Sequence, residues 1–145
     1  MNIETVLEYY VVVLPKGKTT VEGLLSSGQY EEVNGDVSDR NFPVTGSRWD
    51  RELGIELVHV GHSSPTDQIL LRLDIRGLRP ATAAELLALG AKYPDLQRQF
   101  PIVALGQEWR GRAVFLDGSR KERTVRLGWR GGSWNANYRF AAIHK

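Results

Sequence analysis

The chain has 145 residues, 41% of them hydrophobic and 25% charged, with a formal net charge of +2 and no cysteine. That composition excludes a disordered chain, and the missing cysteines exclude a disulfide framework, a thiolate zinc site and a cysteine nucleophile. Apolar runs such as Val11–Leu14 are far too short to cross a bilayer. Met1, Asn2, Ile3 and Glu4 lack the basic start and apolar stretch of a signal peptide. One domain over residues 1–145, placed in the cytoplasm, is expected.

Val6 to Leu14 is rich in β-branched and aromatic residues and stops at Pro15, which predicts a strand. Thr20 to Ser27 predicts a short helix, with Gly28 as its stop. Residues 31–52 are rich in turn formers and predict an irregular loop. A second strand is expected over Leu53 to Val60. Ser64-Pro65-Thr66-Asp67 supplies a cap, a proline for the first turn and an acid facing the helix dipole. The helix it opens carries Ile69, Leu70 and Leu73 and closes at Gly77, with its last residues also fitting strand alternation.

Ala81 to Tyr93 is the clearest helix, because Ala83, Ala84, Leu86, Leu87, Gly90 and Ala91 form a broad apolar stripe and Pro94 ends it. Four strands are expected next: Ile102–Leu105, Arg112–Leu116, Arg123–Trp129 and Tyr138–Ile143. Asp117-Gly118 signals a hairpin between the second and third, and Gly131-Gly132 interrupts the last pair. Helices followed by a run of antiparallel strands argue an α+β fold.

The charge is unevenly spread. Residues 110–145 contain Arg110, Arg112, Arg120, Lys121, Arg123, Arg126, Arg130, Arg139 and Lys145 against only Asp117 and Glu122, while the remainder is acidic. Trp109, Trp129 and Trp134 lie near or within this basic stretch. Such a composition suits a binding surface; it equally suits a tail that neutralises the acidic remainder.

Catalytic chemistry has no visible home. Gly17-Lys18-Thr19 lacks the upstream glycine of a phosphate loop, since Val12 stands in its place. His59 and His62 fall on opposite faces if the strand continues, with no third ligand near them in sequence. There is no Gly-x-Ser-x-Gly elbow and no marked pair of acids. Neither a catalytic residue nor a metal or cofactor is expected.

Three segments carry a family likeness: Arg79-Pro80-Ala81-Thr82 leading into Glu85-Leu86-Leu87-Ala88-Leu89-Gly90; Tyr93-Pro94-Asp95-Leu96-Gln97 leading into Phe100–Gly106; and Leu127-Gly128-Trp129, Trp134 and Arg139–Ile143. Together they resemble the variable proteins of diversity-generating retroelements. The likeness covers roughly residues 64–145 well and the earlier part loosely. Arg130-Gly131-Gly132-Ser133-Trp134-Asn135 also looks like the formylglycine-generating-enzyme branch of the C-type lectin fold, whose enzymes use cysteines that this chain lacks.

The resemblance implies a C-type lectin-like fold with small antiparallel sheets and two or three helices. It also implies a carboxy-terminal segment, about 120–145, rewritten by adenine-directed reverse transcription. Asparagine codons of the AAY type then spread over NNY codons, which cannot encode Trp, Lys, Glu, Gln or Met. Between Arg126 and Tyr138 only Trp129 and Trp134 fall outside the NNY set, and the family pattern assigns those two to scaffold.

Period two places Val125, Leu127 and Trp129 on one face of their strand and Arg126 and Gly128 on the other. Trp129, Trp134 and Phe140 are expected inside. Arg126, Gly128, Arg130, Gly131, Gly132, Ser133, Asn135, Asn137 and Tyr138 are expected to form a ligand-binding surface of paratope-like composition. The first strand is expected to pair with the last, and helix 81–93 to pack on the sheet. The expected function is non-catalytic recognition of a protein ligand. The alternatives are a basic nucleic-acid-binding module, its affinity falling steeply with salt, and a formylglycine-generating-enzyme-like relative without catalytic cysteines.

Overall fold

The computed structural model describes residues 9–14, 19–45 and 52–145. Met1–Glu8 (with the first three residues of the expected strand), Gly17 and Lys18 of the rejected phosphate loop and residues 46–51 of the expected loop lie outside them.

Strand β1 (Tyr9–Val13) buries Val12 and turns Tyr9, Val11 and Val13 outward. Helix α1 (Val21–Gly28) is capped by Thr20, whose hydroxyl accepts from the Gly23 N–H at 3.0 Å. Its stop differs from expectation. Gln29, not Gly28, takes the left-handed conformation, at φ 51°, and a Cβ on Gly28 would run into the Tyr30 ring. Within the expected long loop, β2 (Glu32–Val33) forms a short strand, and residues beyond it bury Val37 and Phe42.

Strand β3 (Glu52–His59) is followed by β4 (Ser64–Pro65) and helix α2 (Thr66–Ile75). Pro65 occupies the cap position, without a side-chain bond to the helix. Ser64 is instead buried in β4, its hydroxyl against His62. Gly77 (φ 72°) turns the chain into β5 (Leu78–Pro80). Helix α3 (Ala83–Lys92) carries a capping box in which the Thr82 hydroxyl accepts from the Glu85 N–H and the Glu85 carboxylate accepts from the Thr82 N–H. Every residue from Ala83 to Gly90 is buried. Leu86, Leu87 and Leu89 each contribute roughly 1.5–3 kcal/mol by leaving water.

The short helix α4 (Leu96–Gln99) leads into β6 (Ile102–Trp109), β7 (Arg112–Gly118) and β8 (Arg123–Trp129). Then come β9 (Ser133–Trp134) and β10 (Arg139–His144). The hairpin between β7 and β8 exists, but Asp117 and Gly118 belong to β7. The tip is Ser119–Glu122, where the Ser119 hydroxyl accepts from the N–H groups of Lys121 and Glu122.

Among the described residues the architecture is α+β, with one large sheet in the order β1-β3-β10-β6-β7-β8-β2, β5 added beside β10, and a separate β4-β9 ribbon. This corrects three expectations. The main sheet is large, and four helices accompany it among the described residues. It is mixed: β6-β7-β8 is antiparallel, but β10 runs parallel to β6 and β2 parallel to β8. The first strand does not pair with the last, because β3 lies between them. Only their ends meet, the Tyr9 hydroxyl reaching His144 Nε2 at 2.7 Å with the two rings stacked.

One face of the sheet packs on α1 and α3, as expected for α3, around Val12, Ile55, Val114, Leu116 and Val125. The opposite face holds a second cluster of Val103, Leu105, Ala113, Phe115 and Phe140 with Ile69 and Trp134. Arg123, expected on a basic surface, is 4% exposed. Its guanidinium donates to the carbonyls of Gly28 (2.6 Å) and Gly90 (2.5 Å), near the carboxyl ends of α1 and α3, and lies over the Tyr30 ring. Those carbonyls carry the negative end of each helix dipole, so a cation there satisfies both.

Candidate functional site

The segment from Arg126 to Tyr138 begins on β8, turns at Gly131-Gly132, forms β9 and ends at the start of β10. Its centre is Trp134, which is 5% exposed. The indole packs edge-on against Tyr138 and Phe140. Its N–H donates to the Thr66 hydroxyl at 2.9 Å, and that hydroxyl donates to the Arg130 carbonyl at 2.8 Å. A buried indole N–H needs such a partner. Thr66 supplies it from the first turn of α2, positioned there by the pairing of Ser64 with Trp134 across the ribbon.

The residues flanking Trp134 are outside. Gly131, Gly132, Ser133, Asn135 and Asn137 are exposed. The turn they form is internally held: the Asn135 side-chain oxygen accepts from the Asn137 N–H at 2.9 Å, and His59 Nε2 bonds the Ala136 carbonyl at 2.8 Å. Arg126 is exposed, its Nε donating to the Thr124 hydroxyl and lying 3.9 Å from Asp117. Tyr138 is half-buried edge-on to Phe115 and Trp134. Burial raises its phenol pKa above the ordinary value of 10.0, aided by the Asp117 charge and opposed by Arg126. Arg130 is half-buried and donates to Glu108 at 2.7 Å.

Two expected placements are corrected. Gly128 does not present a solvent-facing position, because a Cβ there would lie 2.8 Å from the Trp134 ring and 3.3 Å from Phe115. It is a packing position that lets the indole approach the sheet. Trp129, expected inside with Trp134, is 62% exposed. Its face was correctly given by alternation with Val125 and Leu127, but the helical layer does not extend over this last residue of β8. The indole lies instead over backbone: Cβ atoms on Gly111 and Gly131 would each come within 2.5 Å of it.

Several basic residues of the tail are committed internally. Arg123 is buried, Arg126 and Arg130 face carboxylates, Arg139 lies over Phe100 and Lys145 reaches Asp74. The tail thus neutralises part of the acidic remainder.

Sequence reasoning missed the partners that hold the segment: Thr66, Glu108, Asp117 and Gly111. It also missed the hairpin Trp109-Arg110-Gly111-Arg112. There Arg110 (φ 50°) and Gly111 (φ 76°) both take positive φ and Trp109 pairs with Arg112, as a two-residue type I′ turn demands. The Arg-Gly pair between two strand-like runs was the available signal. Among the described residues, no group of three or more His, Cys, Asp or Glu side chains is placed to hold a metal ion, and no helix is long and apolar enough to cross a membrane. Comparison with protein-family models, curated proteins and solved structures gave no match.

Proposed function

We propose that the chain is a non-catalytic recognition protein of the variable-protein class of diversity-generating retroelements, with a C-type lectin-like scaffold. Its ligand, a protein, is bound through Arg126, Ser133, Asn135, Asn137 and Tyr138 beside the Gly131-Gly132 turn. One observation carries the reading: Trp134 is buried and hydrogen-bonded, while the residues on either side of it, Ser133 and Asn135, are exposed. Such a segment keeps its backbone fixed while its outer side chains change, since exposed substitutions of this kind usually alter stability by under about 0.5 kcal/mol. Trp129, exposed on the face of β8 opposite to Arg126, lies outside this surface.

The flanking DNA tests the assignment. The expected finding is a template repeat nearly identical to the codons of 120–145, differing at adenines, beside a reverse-transcriptase gene. The protein-level test is a displayed library randomised at Arg126, Ser133, Asn135 and Asn137. Most members are expected to fold and some to bind protein targets; a library that is mostly unfolded overturns the proposal.

A further inference from the structure

At the open end of the β6-β7-β8 sheet, Trp109 pairs with Arg112 and Arg112 pairs with Trp129. Directly paired residues of antiparallel strands share a face, so the three side chains form a Trp-Arg-Trp row. It lies on the same face as Val114 and Leu127, opposite to Arg126, and is therefore distinct from the display surface proposed above. Arg112 and Trp129 are exposed, and Trp109 is half-buried. Arg110, at the hairpin tip, is exposed and places its guanidinium 4.8 Å from the Trp109 ring centroid. Glu108, the neighbouring acid on β6, is already engaged by Arg130, which leaves the charges of Arg110 and Arg112 uncompensated by it.

We propose that this row binds single-stranded nucleic acid, with bases stacking on the Trp129 indole and phosphates meeting Arg112 and Arg110. The chemistry matches on three counts. An indole that is packed closely against Gly111 and Gly131 and still 62% exposed offers aromatic surface to a base, and such stacking is tolerant of sequence. Arginine beside it supplies charge and planar hydrogen bonding to phosphate. Neighbouring strands place the aromatic and cationic groups about 5 Å apart in backbone terms, so one nucleotide spans an indole and an arginine together.

The test is titration of the protein with fluorescein-labelled oligothymidylate at low ionic strength, read by anisotropy and by the indole N–H resonance of Trp129. Saturable binding is expected, with that resonance among the most displaced. Two phosphate contacts predict a log–log salt slope of about −1.4, and Arg112→Gln is expected to reduce it by about 0.7. Trp129→Ala is expected to weaken binding about tenfold or more and Trp129→Phe less, as stacking requires. Arg120→Gln, in the tip at the opposite end of the β7-β8 hairpin from the row, is expected to change little. The proposal is overturned if no binding occurs, if Trp129→Ala binds as well as the parent, or if Arg120→Gln weakens binding as much as Arg112→Gln. Equal competition by polyglutamate also overturns it, since charge alone then suffices. A thermal melt of each variant separates lost binding from lost folding.

Discussion

The indole N–H of Trp134 is bonded to the hydroxyl of Thr66, a residue 68 positions earlier in the chain, and that hydroxyl passes its own proton to the carbonyl of Arg130. One threonine therefore joins the start of α2 to both sides of the turn at Gly131-Gly132.

Removing the ring is expected to be costly. Trp134→Ala leaves a cavity beside Phe115 and Phe140, and its equilibrium urea unfolding is expected to show a loss of about 3–5 kcal/mol. Thr66→Val keeps the volume but strands the indole N–H, at a cost of about 1–3 kcal/mol. If both variants melt with the parent, Trp134 does not anchor the segment.

The glycines of the segment divide by what lies over them. Gly128→Ala drives a methyl group against Trp134 and Phe115 and is expected to cost about 1–3 kcal/mol. Gly132 has only the Trp129 ring at 4.0 Å and no positive φ, so Gly132→Ala is expected to stay within about 0.5 kcal/mol. Paired thermal melts of the two variants measure the difference.

Arg123 is a second anchor. Arg123→Met fills similar space but leaves the Gly28 and Gly90 carbonyls and the Gln97 side-chain oxygen without this donor, at about 1–3 kcal/mol for each buried acceptor left unsatisfied. A loss of roughly 3 kcal/mol or more in urea unfolding is expected. Arg123→Lys is expected to recover part of it, because one ammonium cannot span both helix ends as a guanidinium fork does.

Alkaline pH is expected to weaken the fold. Burial holds the Tyr30 phenol pKa well above its ordinary 10.0, the Arg123 charge opposing it only in part, and Tyr138 shifts in the same direction. The unfolded chain then ionises first. Stability from these two groups is complete below pH 10 and is lost as pH rises toward the folded values. Urea unfolding from about pH 9 to about pH 11 is expected to show the decline, and Tyr30→Phe to flatten it. Tyr30→Phe also lowers stability near neutrality by about 1 kcal/mol, because it removes the bond from the hydroxyl to the Leu87 carbonyl.

Local features were legible in the sequence because local chemistry decides them. The apolar spacing of Ala83–Gly90 gave α3, and alternation through Val125 and Leu127 gave the face of β8. The Asp117-Gly118 pair located the right hairpin but the wrong tip, since Ser119 supplies the hydroxyl that closes it. Non-local choices were not legible. Nothing in Tyr9–Val13 or Arg139–His144 says that Glu52–His59 comes between them, because strand order depends on how the whole chain closes. Arg123 reads as surface charge until two helix ends are brought to it. Trp129 reads as core because alternation reports a direction and not how far the covering layer reaches. Ser133, Asn135 and Asn137 were placed outside correctly, since polar side chains in a tight turn have few reasons to be buried.

The placement of β10 between β3 and β6, with β5 also beside it, bears on how the molecule folds. This strand joins elements separated from it by some forty to eighty residues, so it closes large loops before any of its ladder bonds form. Without residues 139–144 the sheet has a vacant middle, with the β1-β3 pair on one side and β6-β7-β8-β2 on the other. Docking of this strand accordingly joins the β1-β3 pair to the β6-β7-β8-β2 half, and removal of Phe140–Ile143 separates the two halves of the sheet rather than trimming its margin.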